Sequence, residues 1–165
     1  LELAEQLDWS LPDWIFYPTG GGTGIVGTFA AFQQLHELGL VGARLPRLVS
    51  VQAEGCAPIV RALERGGDAE PWPDPHTRAW GLRVPKALAA PEVLAAVRLS
   101  GGCGVTVSEE QMADATVRLA RAEGIEAGPE GAAAFVALEM LVARVVLREG
   151  ERAVVFQTGD PQNYA

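Results

Sequence analysis

The sequence predicts a three-layer α/β fold, a mainly parallel sheet with helices on both faces. Three observations carry this. Apolar runs of strand length, at 14–17, 48–52, 104–107 and 153–157, alternate with longer stretches whose apolar residues recur at helical spacing. The helical stretches close on glycine, at Gly39, Gly66, Gly101, Gly124 and Gly150. A chain of 165 residues that is 48% hydrophobic can also bury a core without disulfide or metal staples. Residues 1–165 read as a single α/β domain.

Taken in order, Leu1–Leu7 is a helix with Leu3 and Leu7 on one face, and Ser10–Asp13 turns into the first strand, Trp14–Tyr17. A helix from about Ile25 to Leu38 follows, with His36 on its solvated side. Leu48–Gln52 is the second strand, and Ala53–Cys56 lies at its carboxyl end, where open α/β sheets place ligands. Pro58 opens a short helix to Glu64. Prolines 71, 73 and 75 make 68–75 a loop, continued by His76–Lys86, whose Arg78 and Arg83 are candidates to meet a substrate anion. Pro91–Leu99 is a helix and Gly104–Val107 the third strand. Ser108 and Gln111 then form a capping box. Ile125–Gly131 turns into an alanine-rich helix running through Leu147. Ala153–Gln157 is the fourth strand, with Thr158-Gly159-Asp160 at its carboxyl end.

The stretch between the first strand and the second helix is Pro18-Thr19-Gly20-Gly21-Gly22-Thr23-Gly24. A strand, a glycine-rich turn and a helix N-terminus together make an anion site, because the first-turn amides lack helical partners and carry partial positive charge. The hydroxyls of Thr19 and Thr23 can add donors. The plainer reading is a tight βα turn that needs glycine for geometry alone. Four glycines in five residues favour a phosphate. The loop is neither a Walker A sequence nor G-x-G-x-x-G.

Composition narrows the partners. A net charge of −8 argues against nucleic acid or an anionic membrane surface. Cys56 and Cys103 make neither a disulfide framework nor a metal motif, so no metal is expected. No apolar run is long enough to span a bilayer and no segment resembles a signal peptide, which leads to the expectation of a cytoplasmic protein. Lys86 is the only lysine, so chemistry that needs a lysine amine must use it or one outside this chain.

Several stretches together resemble threonine synthase and its close relatives, pyridoxal-phosphate enzymes of the tryptophan-synthase-β fold, also called fold type II. The glycine loop is one of them. Others are Val51–Val60, His76-Thr77 with Gly81–Lys86, Ser100–Gly102, Val107–Glu110, Glu123–Ile125, Pro129–Ala133 and Phe156–Gly159. They cover nearly the whole chain in the family's order.

The resemblance implies pyridoxal 5′-phosphate as cofactor, with Gly20, Gly21, Gly22, Thr23 and Gly24 around its phosphate. It places the Thr158 hydroxyl at the pyridine nitrogen and Glu130 near the ring. The other reading of Glu130 is an N-cap of the alanine-rich helix. The family's Schiff-base lysine lies upstream of the glycine loop, on a smaller N-terminal domain, and Lys86 does not match it. The chain is therefore expected to be the C-terminal part of a catalytic unit, inactive alone and with no catalytic residue of its own. It would pair with a missing N-terminal domain or form a homodimer. The full enzyme would convert O-phosphohomoserine and water to threonine and phosphate. Alternatives are a β-eliminating amino-acid dehydratase of the same fold, or a non-catalytic binding module with a degenerate cofactor site. One departure is the tail, Asp160–Tyr164, where the family continues with small residues. The glycine loop, Gln52–Gly55, Glu130 and Thr158 are expected to converge at the carboxyl edge of the sheet.

Overall fold

The computed structural model describes residues 1–159; the divergent tail, 160–165, lies outside the described residues. The chain runs α1 (Glu2–Gln6), β1 (Trp14–Pro18), α2 (Thr23–Glu37), β2 (Arg47–Ala53) and α3 (Pro58–Arg65). It continues through a 3-10 turn (Trp80–Leu82) to α4 (Ala90–Leu99), β3 (Cys103–Val107), α5 (Glu109–Glu123), α6 (Pro129–Ala143) and β4 (Ala153–Val155). The strands form one parallel sheet in the order β3-β2-β1-β4. Trp14 is opposite both Arg47 and Ala153, and Val49 is opposite Cys103.

Alternation along the strands sends side chains to two cores. On one face Ile15 and Leu48 meet Phe29, Phe32 and Leu35 of α2, Ile59 of α3, and Val93 and Val97 of α4. On the other, Phe16, Val49, Val51, Val105 and Val107 meet Met112 and Ala115 of α5 and the small residues Ala132–Ala134 of α6. This is the expected three-layer architecture. The order also explains where a site can form. The chain moves outward from β1 to β2 to β3, then returns to the other side of β1 for β4. The crevice at the carboxyl ends of β1 and β4 is a topological switch point, where such sheets bind ligands.

The punctuation of the sequence is largely realised. Gly39, Gly66, Gly101, Gly124 and Gly150 all have positive φ, and Ser108 and Gln111 make the capping box on both sides. Two elements depart from expectation. Residues 80–82 form a 3-10 turn inside the proline-containing loop. The alanine-rich helix ends at Ala143, four residues earlier than its composition suggests. There the chain closes a Schellman motif, with Val145 N–H donating to Val142 O (2.9 Å) and Val146 N–H to Leu141 O (3.0 Å). Val145 occupies the left-handed position at φ +57°, which a β-branched residue disfavours.

Val145 is 81% exposed, so little packing depends on its side chain. Val145→Gly is expected to raise unfolding free energy by roughly 1 kcal/mol in urea titrations. An unchanged or lower midpoint would show that the turn carries no strain.

Candidate functional site

The site begins where β1 ends. Thr19 is buried, and all of its polar groups are engaged by the sheet. Its N–H donates to Val51 O (2.8 Å), its carbonyl accepts from Gln52 Nε2 (3.1 Å), and its hydroxyl donates to Tyr17 O (2.9 Å). The Thr19 hydroxyl therefore does not add a donor toward an anion, contrary to the sequence reading; a short bond back along its own strand holds it. Thr23 is exposed at the start of α2, and its hydroxyl is bound to no other described residue.

Just beyond Thr19 the backbone N–H groups have no acceptor among the described residues. Gly22, the N-cap of α2, has φ +93° and no side-chain acceptor covers the turn. The helical ladder starts only at Val26 N–H, which donates to Gly22 O (3.2 Å). Among the described residues, the amides of Gly20 to Ile25 donate to nothing. Two other helices of the sheet are treated differently. The first turn of α3 is capped by Gln52 Oε1, which accepts from Ile59 N–H (2.9 Å) and Val60 N–H (3.1 Å), and α5 has its capping box. Thr23 and Gly24 also line a groove of about 590 Å³ between α1, α2 and β4, so solvent reaches the α2 turn.

Most of the glycines in the loop answer to protein neighbours. A side chain at Gly20 would run into the Gly81 carbonyl and the Val84 side chain. One at Gly22 would lie 2.5 Å from Val93 Cγ2, in addition to the cost of its positive φ. One at Gly24 would strike the Tyr17 ring, which stacks on Phe156 at 4.7 Å. The geometric reading thus accounts for three of the four. Gly21 is different: a Cβ there meets nothing within 4 Å and its φ is not positive, so no packing demand explains it.

Glu130 and the end of β4 complete the edge. Glu130 lies in the first turn of α6 and is 4% exposed. It is not the N-cap of α6; that position is Gly128, and the Glu130 carboxylate reaches across to accept Gly81 N–H at 2.8 Å. The contact ties α6 to the 3-10 turn, whose Gly81 carbonyl packs on Gly20. Gly128 in turn abuts the Gly159 carbonyl, beside half-buried Thr158, and Gly131 abuts Gln157. The glycine loop, Gly81, Glu130 and Thr158-Gly159 therefore form one contiguous wall at the carboxyl edge. Gln52 lies beneath the loop, and Gly55 packs on the His76 backbone.

Other candidates fall at the rim or in the core. Lys86 is exposed just before α4, whose Ala89 N–H donates to Gly21 O (3.3 Å). Arg83 lies over the Trp80 ring and Arg78 is exposed. Cys56 is fully buried; burial pushes its thiol up, with the Val84 backbone and Arg83 opposing, so it is a packing residue. Among the described residues no cluster could hold a metal ion, and no helix is long and apolar enough to cross a membrane.

Amides without an acceptor among the described residues, a glycine open on one side and a loop that carries no lysine or arginine suit a phosphate monoester held by the backbone. The protein family described as "Pyridoxal-phosphate dependent enzyme" matches residues 1–159. The chain is similar to threonine synthase of Methanosarcina acetivorans, at 37% identity over 98% of this chain and 41% of the relative. It is also similar to that of Methanocaldococcus jannaschii, at 33% identity over 96% and 39%. The chain thus spans about two-fifths of the length of these curated relatives. Among solved structures, an L-serine ammonia-lyase from Rhizomucor miehei superposes with TM-score 0.75 at 20% identity, over 99% of this chain and 52% of that one. Escherichia coli threonine synthase superposes with TM-score 0.69 at 20% identity, over 95% and 34%. These two establish the shared fold.

The glycines make a stability prediction. Gly22→Val should cost about 3 kcal/mol from left-handed strain and overpacking against Val93. Gly21→Val should cost less than about 1 kcal/mol, since its side chain enters open space. Urea denaturation of both variants checks this, and equal losses would contradict the assignment of the loop's open side.

Proposed function

Because the chain belongs to the pyridoxal-phosphate-dependent enzyme family, we propose that it carries the phosphate-holding wall of a threonine synthase-type enzyme acting on O-phosphohomoserine and water. The observation that carries this reading is the set of unengaged amides from Gly20 to Ile25, beside the open face of Gly21. Each amide bonded to an anion adds on the order of 1.5–3 kcal/mol. Several in one turn, together with the α2 dipole, can hold a phosphate without lysine or arginine.

When bound, the cofactor supplies an electron sink for the α-carbon of an amino acid. The chain's own residues bind and orient. Gly20–Gly24 with Thr23 would hold the phosphate, and the Thr158 hydroxyl would serve the pyridine nitrogen. A hydroxyl, unlike a carboxylate, does not enforce protonation there, which suits elimination and replacement at the β or γ carbon. Glu130 acts through structure: its carboxylate fixes the Gly81 amide and so holds the 3-10 turn against Gly20. The lysine that would move protons at the substrate is assigned to an N-terminal part outside this sequence, with Lys86 at the rim taking no such role. The catalytic unit is then this domain paired with that part, or a homodimer.

The reaction is tested by two preparations. The complete gene product supplied with pyridoxal 5′-phosphate should release phosphate and form threonine from O-phosphohomoserine. Residues 1–165 alone should release none and should show no covalent pyridoxyl mark on Lys86 after borohydride. Turnover by the chain alone would overturn the division of labour. Ammonia from L-serine or L-threonine, with O-phosphohomoserine inert, would instead identify a dehydratase.

A further inference from the structure

Gln52 stands at the end of β2 with its side chain fully buried. Its oxygen accepts the Ile59 and Val60 amides, and its nitrogen donates to Thr19 O. This orientation of the amide group is dictated by its neighbours. The flipped form would set NH2 against two N–H groups and oxygen against a carbonyl.

The Thr19 carbonyl belongs to the same peptide unit as the Gly20 N–H. No peptide bond among the described residues is cis. In a trans peptide the carbonyl and the N–H point in opposite directions. A carbonyl drawn inward by Gln52 therefore turns the Gly20 N–H outward, among the loop's free amides. The same logic holds two residues on. Gly21 O accepts from Ala89 N–H, so the Gly22 N–H points away from α4. The loop's flexible peptides are thus aimed by bonds to their carbonyls.

We propose that Gln52 is a positioning residue for phosphate binding, acting through the Thr19–Gly20 peptide and linking the loop to the first turn of α3. The inference rests on the reading of Gly20–Gly24 as the phosphate site. It also accounts for the residue type. Glutamate would accept the two α3 amides as well as glutamine does, and those donors and the helix dipole favour its charged form. It then has no proton to offer Thr19, and an oxygen faces an oxygen. Gln52→Glu therefore keeps the α3 cap and releases the loop.

The experiment measures binding of pyridoxine 5′-phosphate and of pyridoxine to the 165-residue chain by calorimetry. Neither ligand has an aldehyde, so Lys86 cannot react. The ratio of the two affinities isolates the phosphate contribution. In Gln52→Glu that ratio should fall at least tenfold in protein whose circular dichroism shows the wild-type fold, with a lowered thermal midpoint from the buried charge and the unpaired Thr19 carbonyl. In the wild-type chain the Gln52 side-chain NH2 resonance should move on adding pyridoxine 5′-phosphate and stay still with pyridoxine. Gly21→Val serves as the loop control. If it abolishes the phosphate contribution while a folded Gln52→Glu retains it, the positioning role is wrong and the loop reading survives. If the wild type binds both ligands equally, the loop reading falls and the proposal with it. Should Gln52→Glu fail to fold, a stationary Gln52 resonance in the wild type overturns the role by itself.

Discussion

The candidate site depends on one constraint: the first turn of α2 keeps its amides free of acceptors among the described residues while the chain around it is tied down. Thr19 has no polar group left over, because Val51, Gln52 and Tyr17 take all of them. One residue later the backbone donates to nothing among the described residues for six residues. Full engagement followed by full release fixes the direction in which the turn presents its N–H groups. Such a turn is pre-organised, so little conformational entropy remains to be lost when an anion arrives.

Packing enforces the same arrangement. The loop lies between α4, through Val93 and Ala89, and the 3-10 turn, through the Gly81 carbonyl. That turn is in turn held by Glu130 from the far layer of the fold. Elements from both faces of the sheet thus brace a single loop. The sheet order makes this possible, since β1 and β4 are neighbours and the segments that leave their carboxyl ends diverge over one crevice. Removing any brace would be felt at the loop as a change of direction in its amides, without loss of a direct contact to a ligand.

Much of this was legible in the sequence, for physical reasons that can be named. Parallel strands buried on both faces give near-continuous apolar runs, and β2 shows one; positive φ selects glycine, and Gly39, Gly66, Gly101 and Gly124 have it where helices stop. What was not legible depends on partners distant in sequence. Gln52 looks like an ordinary polar residue at a strand end, because its acceptor and donors lie 33 residues before it and 7 or 8 after it. Glu130 has the look of a cap, yet its carboxylate bonds 49 residues away at Gly81. The density of glycine suggested close approach of an anion, but Gly20, Gly22 and Gly24 are explained by the protein itself, and only Gly21 keeps that meaning. The early end of α6 was hidden because Val145 takes a position where the sequence rule expects glycine.

The central claim is that a phosphate ester docks on the backbone between Gly20 and Ile25. Amide mapping by nuclear magnetic resonance of the 15N-labelled chain, titrated with pyridoxal 5′-phosphate, tests it most directly. The largest downfield proton shifts should fall on the amides of Gly20, Gly21, Gly22, Thr23 and Gly24, as each gains an anionic acceptor. Still resonances there, with the changes gathered on the α5–α6 surface or around Lys86, would contradict it.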